Sequence, residues 1–165
     1  MRKPFDAGAI LAKLEQTPSQ PGDFEIRFDG SRFHQGGRIE RAPMVALFAS
    51  ILHRGHDGRH FLITPVEQHE VQVDDAALII VDVEQKAGAL HAEANTGETA
   101  VLGSAHAIAM REVDGQTIPY MAWHRGLEAR FSRSAYYDLV EFGVEEAGRL
   151  VIKCHDETFD LGPVA

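Results

Sequence analysis

The chain carries a single cysteine, Cys154, in 165 residues. No internal disulfide can form, so the sequence gains nothing from an oxidising compartment. Basic residues are also scarce, with 16 Lys and Arg against 25 Asp and Glu and a net charge of −9. With no long basic run to neutralise phosphates, a nucleic-acid partner is excluded as an expectation. No stretch approaches the 18 consecutive apolar residues that mark a membrane span. The opening MRKPFDAGAILAKLEQ has an apolar part that is short and interrupted by Asp6 and Lys13, unlike a secretory signal. Gly-x-Ser-x-Gly is absent, and the Gly36-Gly37 pair lacks the spacing of phosphate-binding or dinucleotide loops. Cys154 has only His155 beside it, and strand alternation sends that imidazole to the opposite face. These absences point to a cytoplasmic protein with no indicated cofactor or catalytic nucleophile.

The composition, 44% hydrophobic, is enough for a substantial core at this length. Ala7, Ile10, Leu11 and Leu14 recur at helical spacing, so an amphipathic helix opens the chain. QTPSQPGD (16–23) then breaks it. FEIRFDG (24–30) alternates as a strand ending in an Asp-Gly turn, and SRFHQGGRI continues as a second strand. In RAPMVALFASIL the period changes: Met44, Val45, Leu47, Phe48, Ile51 and Leu52 cover one broad helical face, with Pro43 in the first turn. HFLITP (60–65) and EVQV (70–73) read as strands. From residue 76 the texture is β-rich, with tight turns and no crossover helices, which implies an antiparallel sheet. RSAYYDLVEFG (133–143) is the last helix, followed by the strands RLVIKC and ETFDLG. Alternation makes Cys154 a strand packing residue.

One phrase occurs twice. FHQG stands at 33–36 and WHRG at 123–126. Each is followed by an arginine at a predicted helix start, Arg41 and Arg133. Later, Gly58-Arg59-x-Phe61-Leu62 matches Gly148-Arg149-x-Val151-Ile152, and Glu67 matches Glu157. Order, element type and apolar positions agree together, so we read a duplication. The fold expected is α+β: two repeated antiparallel-sheet-plus-helix lobes at a pseudo-symmetric interface, preceded by a helix. The expected division is 1–86 and 87–165. In both phrases the aromatic is expected to pack under a helix, the glycine to permit a turn, and the histidine to repeat one hydrogen bond.

FHQGGRIERAPMVALFASIL, FLITPVEQHEVQVDD and IPYMAWHRGLEARFSRSAYYDLVE together resemble the bacterial domain-of-unknown-function family 1285. The resemblance runs from about residue 18 to the C-terminus. It implies a duplicated α+β fold whose C-terminal lobe is loosely similar to pleckstrin-homology domains. It also implies a ligand, nucleotide-like in character, at the lobe interface and a signalling role, with no catalytic activity attached. At Ala76-Ala77 the chain departs from the family pattern, which places Pro-Phe after the acidic pair.

Arg41 and Arg133 are the leading candidates for function. A cation at a helix N-terminus is mildly unfavourable by itself, by about 0.3–1 kcal/mol, so each wants a negative partner. Two partners are open: an internal carboxylate, pairing Arg41 with Glu67 and Arg133 with Glu157 as braces, or an external anion held by the guanidinium and the helix start. Arg125 and Arg130 add positive charge near Arg133, and Tyr120, Tyr136 and Tyr137 are candidate pocket walls. The ligand-binding set is Arg41, Thr64, Glu67, Arg130, Arg133 and Tyr137, with no catalytic residues and no metal ligands. The leading reading is a non-catalytic binder of a small anion, nucleotides included, with a protein partner as a further option. The alternatives are a protein-interaction module and a metal-assisted hydrolase built on the turn HRGHDGRH (53–60), with His53, His56, Asp57 and His60. A solvated helix-end loop is the plainer account of that turn.

Overall fold

The computed structural model describes residues 4–19, 22–155 and 157–164. The chain forms two compact units. The first comprises the chain up to Ala77 together with Arg125–Leu127, the second Leu78–His124 and the chain from Glu128 onward. Residues 86 and 87, the sequence-based division, fall at the turn of a hairpin in the second unit.

In the first unit α1 (Ala7–Leu14) starts at Asp6, whose carboxylate accepts the Ala9 N–H at 3.2 Å. The strands β1 (Phe24–Ile26), β2 (Arg32–His34), β3 (Gly37–Arg38), β4 (Leu52–Arg54), β5 (His60–Ile63) and β6 (Gln68–Val73) make one sheet in the order β3-β2-β1-β6-β5-β4. The helix α2 (Ala42–Ser50) lies between β3 and β4 in the chain. Ile26, Phe48, Leu52, Phe61, Ile63 and Val71 are buried and form the core. Burial of each such side chain stabilises by about 1.5–3 kcal/mol. The broad apolar face expected of α2 is narrower than its sequence suggests. Phe48 and Ala49 are buried, but Met44 and Leu47 are 51% and 56% exposed. A helix of nine residues over one sheet can turn only one side inward.

The second unit holds β7 (Leu78–Lys86), β8 (Ala89–Ala94), β9 (Thr99–Val101), β10 (Ile108–Val113), β11 (Gln116–Ala122) and β12 (Glu128–Phe131), in the order β10-β11-β12-β7-β8-β9. After them come α3 (Arg133–Glu141) and a separate sheet of β13 (Val144–Glu146), β14 (Arg149–Cys154) and β15 (Glu157–Pro163). Leu78, Ile80, Met121, Leu127, Leu139 and Ile152 are among the largest fully buried side chains of the chain, and all but Leu127 belong to this unit. Cys154 is buried in β14, and burial pushes its thiol pKa up, as expected for an inert packing residue.

The fold is α+β with two similar lobes. Each six-stranded sheet consists of two antiparallel three-stranded meanders. The two meanders join at the centre through one parallel pairing, β1 with β6 and β7 with β12. Those parallel pairings correct the purely antiparallel expectation. The connections between the paired strands are several elements long, as parallel neighbours require. The similarity also runs in a frame different from the repeated phrase. FHQG turns the β2–β3 hairpin and WHRG the β11–β12 hairpin, yet by sheet position β1–β6 correspond to β7–β12. Both phrases do share backbone: Gln35-Gly36 and Arg125-Gly126 are left-handed pairs, with φ of 52° and 79° and of 58° and 73°. The glycine expectation therefore holds.

The side chains of the two phrases do different work. Phe33 lies under the Arg27 guanidinium at 3.8 Å, while Trp123 is buried and donates its indole N–H to Glu98 at 3.0 Å. His34 stacks flat on Phe24 with ring centres 4.2 Å apart, whereas His124 donates from Nε2 to the Thr99 carbonyl at 2.9 Å. The two aromatics meet different partners, and the expected shared hydrogen bond of the histidines does not recur. A backbone turn demands two left-handed residues; it does not dictate what the flanking side chains meet.

Candidate functional site

The second unit contains an open pocket of about 500 Å³ lined by residues of β11, β12 and the first turn of α3. That size suits a small-molecule ligand. Arg130, Phe131, Ser132, Arg133, Tyr136 and Tyr137 line it together with Gln116 to Pro119 of β11. Three of the candidate residues, Arg130, Arg133 and Tyr137, are thus brought together.

Local sequence explains how. Ser132 caps α3, its hydroxyl accepting the Ala135 N–H at 3.2 Å. Helical spacing after that cap sets Ala135 and Leu139 inward, both buried, and leaves Arg133 and Tyr137 outward, with Tyr136 half-buried. The N-terminal end of α3, with its unpaired N–H groups, adds positive potential at the pocket mouth. Arg130 is 8% exposed and forms part of the wall; Tyr136 and Tyr137 set their rings 6.4 Å apart, inclined by 32°. Tyr120, the third candidate tyrosine, is not part of the lining. It is buried beneath the Arg111 guanidinium, 4.4 Å from its ring, and Arg111 is ion-paired with Glu128.

The brace reading fails. Among the described residues neither Arg41 with Glu67 nor Arg133 with Glu157 forms an ion pair. Glu67 meets His69 at 3.4 Å instead. Thr64 closes its own turn, its hydroxyl accepting the Glu67 N–H at 3.0 Å and donating to the Glu67 carbonyl at 3.1 Å. Arg41 is the exposed N-cap of α2 and makes no side-chain capping bond. Arg41, Thr64 and Glu67 belong to the first unit, and Arg130, Arg133 and Tyr137 to the second.

The histidine-rich turn does not gather ligands. Among the described residues no group of three or more His, Cys, Asp or Glu could hold a metal ion. The Asp57 carboxylate is engaged by Arg59, at 2.6 Å from Nε and 3.0 Å from the backbone N–H, which lowers its pKa. The His56 N–H donates to Glu15 at 3.1 Å. His60 is buried in β5, and His53 is half-buried with its pKa lowered by burial and then by the charge of Arg125.

The roles of three residues important to this architecture were not anticipated from the sequence. Arg32 is 3% exposed and donates to the carbonyls of Gly30 at 3.3 Å and Ala77 at 3.0 Å. Arg125 donates to the Ala49 carbonyl, in the last turn of α2, at 2.8 Å and to the Leu52 carbonyl, at the start of β4, at 3.0 Å. His60 is buried where alternation left its face undecided. For Arg125 a cue existed, the following glycine of a left-handed pair.

Comparisons with known proteins agree with this architecture. The model described as "Domain of unknown function (DUF1285), N-terminal domain" matches residues 15–76, and that of the C-terminal domain of the same family matches 77–161. A crystal structure of a DUF1285 family protein from Silicibacter pomeroyi DSS-3 is 36% identical, with a TM-score of 0.79 over 90% of this chain and 85% of that one. A second DUF1285 family protein, from Shewanella baltica OS155, is 34% identical, with a TM-score of 0.60 over 73% of this chain and 91% of its own. No curated protein matches.

Proposed function

This chain belongs to the DUF1285 family, and from that premise, which brings no activity with it, we propose that it is a non-catalytic binder of a small anion. The ligand occupies the pocket between β11 and the start of α3, and nucleoside phosphates are the class that fits best. Arg133 carries the reading. It is an exposed guanidinium with no ion pair among the described residues, at a helix N-terminus, in a protein of net charge −9. Its fork and the helix-start N–H groups suit a phosphate, and the Tyr136 and Tyr137 rings offer a surface for a planar base. A regulatory or signalling role follows from binding without chemistry. The cytoplasm is the proposed location; among the described residues no helix is long and apolar enough to cross a membrane.

Melting temperatures measured with AMP, inorganic pyrophosphate and adenosine test the reading. A ligand at a hundred times its Kd stabilises the folded state by about 2.7 kcal/mol. AMP and pyrophosphate are expected to raise the melting temperature, and adenosine is not. Arg133→Met should weaken AMP binding about tenfold or more, the loss of a charge-assisted contact, while leaving the ligand-free melting temperature unchanged. Equal stabilisation of wild type and variant would discard Arg133 as a contact.

A further inference from the structure

Resting on the anion site at Arg133, we propose that the backbone of Thr117 reads the same ligand: its N–H and carbonyl bind the edge of a nucleobase that sets a donor beside an acceptor, as adenine does. Four consecutive residues of β11, Gln116 to Pro119, line the pocket. A strand shows alternate residues to each face of its sheet, so a consecutive run marks contact along its edge. What an edge presents is backbone N–H and C=O.

The pairing of β11 fixes which groups these are. Ala122 donates its N–H to the Ala107 carbonyl at 2.9 Å, on the β10 side. At the other end Val113 pairs with Gln116 around Asp114-Gly115, whose φ of 51° and 79° make the two-residue turn of a tight hairpin. Backbone direction alternates along a strand. Gln116, Ile118, Tyr120 and Ala122 therefore bond towards β10, and Thr117, Pro119 and Met121 point towards β12. Tyr120 to Ala122 pair with Arg130 to Glu128 of β12. Continued, that register would set Arg133 opposite Thr117. The chain leaves the sheet instead: the Ser132 N–H bonds the Ile80 carbonyl, Ser132 caps α3, and Arg133 enters the helix. Among the described residues the Thr117 N–H and carbonyl thus face the pocket with no protein partner.

One donor next to one acceptor is the backbone counterpart of the side-chain amide that grips adenine by its amino group and ring nitrogen. Tyr136 and Tyr137 line the same pocket, where a base held at its edge can lie against a ring. Arg133, diverted from the rung, takes the phosphate.

Isothermal titration of the full chain with inorganic pyrophosphate, AMP and AMP dimethylated on its exocyclic amino group tests the rung. The methyl groups remove the donor, so the protein should bind the dimethyl compound about three- to tenfold more weakly than AMP. Thr117→Pro deletes the backbone N–H and keeps the carbonyl. That N–H serves no strand, and Pro119 already stands in the same phase of β11, so the variant is expected to fold, which its melting temperature checks. It should raise the Kd for AMP about three- to tenfold more than the Kd for pyrophosphate. Should it not fold, the dimethyl comparison decides alone. Pyrophosphate binding with no preference for AMP over its dimethyl form, or an equal change of both Kd values in folded Thr117→Pro, overturns the rung and leaves the anion at Arg133 standing. Binding of neither pyrophosphate nor AMP overturns both.

Discussion

Gly126→Ala is expected to destabilise the protein by about 3 kcal/mol or more, while Gly36→Ala costs only about 1 kcal/mol. The two glycines hold the same place in the repeated phrase and nearly the same conformation, with φ of 73° and 79°. The strain of an L-residue there, roughly 1–2 kcal/mol, is common to both. Their surroundings differ. A Cβ on Gly36 meets nothing within 4 Å, but one on Gly126 would stand 2.6 Å from the Arg54 carbonyl oxygen. That oxygen belongs to the backbone of β4, which pairs with β5, so it cannot swing aside as a side-chain tip could. The neighbouring Arg125, bonded to the Ala49 and Leu52 carbonyls, would be displaced as well. Urea denaturation of both variants measures the difference. Equal midpoints would mean that the close approach at Gly126 does not exist in solution.

Stability should also fall steeply in mild acid, by up to about 3 kcal/mol between pH 6.5 and pH 4, because of His60. This imidazole is 8% exposed, and burial, helped by the charge of Arg54, lowers its pKa from 6.5 to about 4. The unfolded chain takes up a proton as pH drops through 6.5, while the folded chain resists until about 4. The neutral form is thus the one that folds: the contribution is complete above pH 6.5, declines through the window and levels off below 4. His60→Phe, apolar and of similar shape, should flatten the profile in that window. Urea midpoints at half-unit steps of pH decide it, and a variant as acid-sensitive as the wild type would put the cause elsewhere.

Several elements could be read directly from residues. The first and last helices follow from Ala7-Ile10-Leu11-Leu14 and from Ala135 and Leu139, and β14 and β15 lie where RLVIKC and ETFDLG alternate. The parallel pairings were not legible, because hydrophobic pattern records which face is buried and says nothing of which neighbour a strand hydrogen-bonds. The outward turn of Met44 and Leu47 escaped for a related reason. Their spacing matches a buried stripe, and only the single sheet against α2 decides which side is covered. At the site, Arg133 and Tyr137 were visible through helix position. Gln116 to Pro119 were not, since they reach the pocket only through the β11–β12 pairing. The burial of Arg32 and His60 was missed because an arginine or histidine in a strand is far more often at the surface.

The account stands or falls on an anion held at the start of α3. Titration of ¹⁵N-labelled protein with AMP, followed by amide chemical shifts, locates the ligand residue by residue. Saturable shifts are predicted at Ser132, Arg133 and Ser134 and at Gln116 to Ile118, and they should vanish in Arg133→Met. Shifts confined to other residues, or none at millimolar AMP and pyrophosphate, would contradict it.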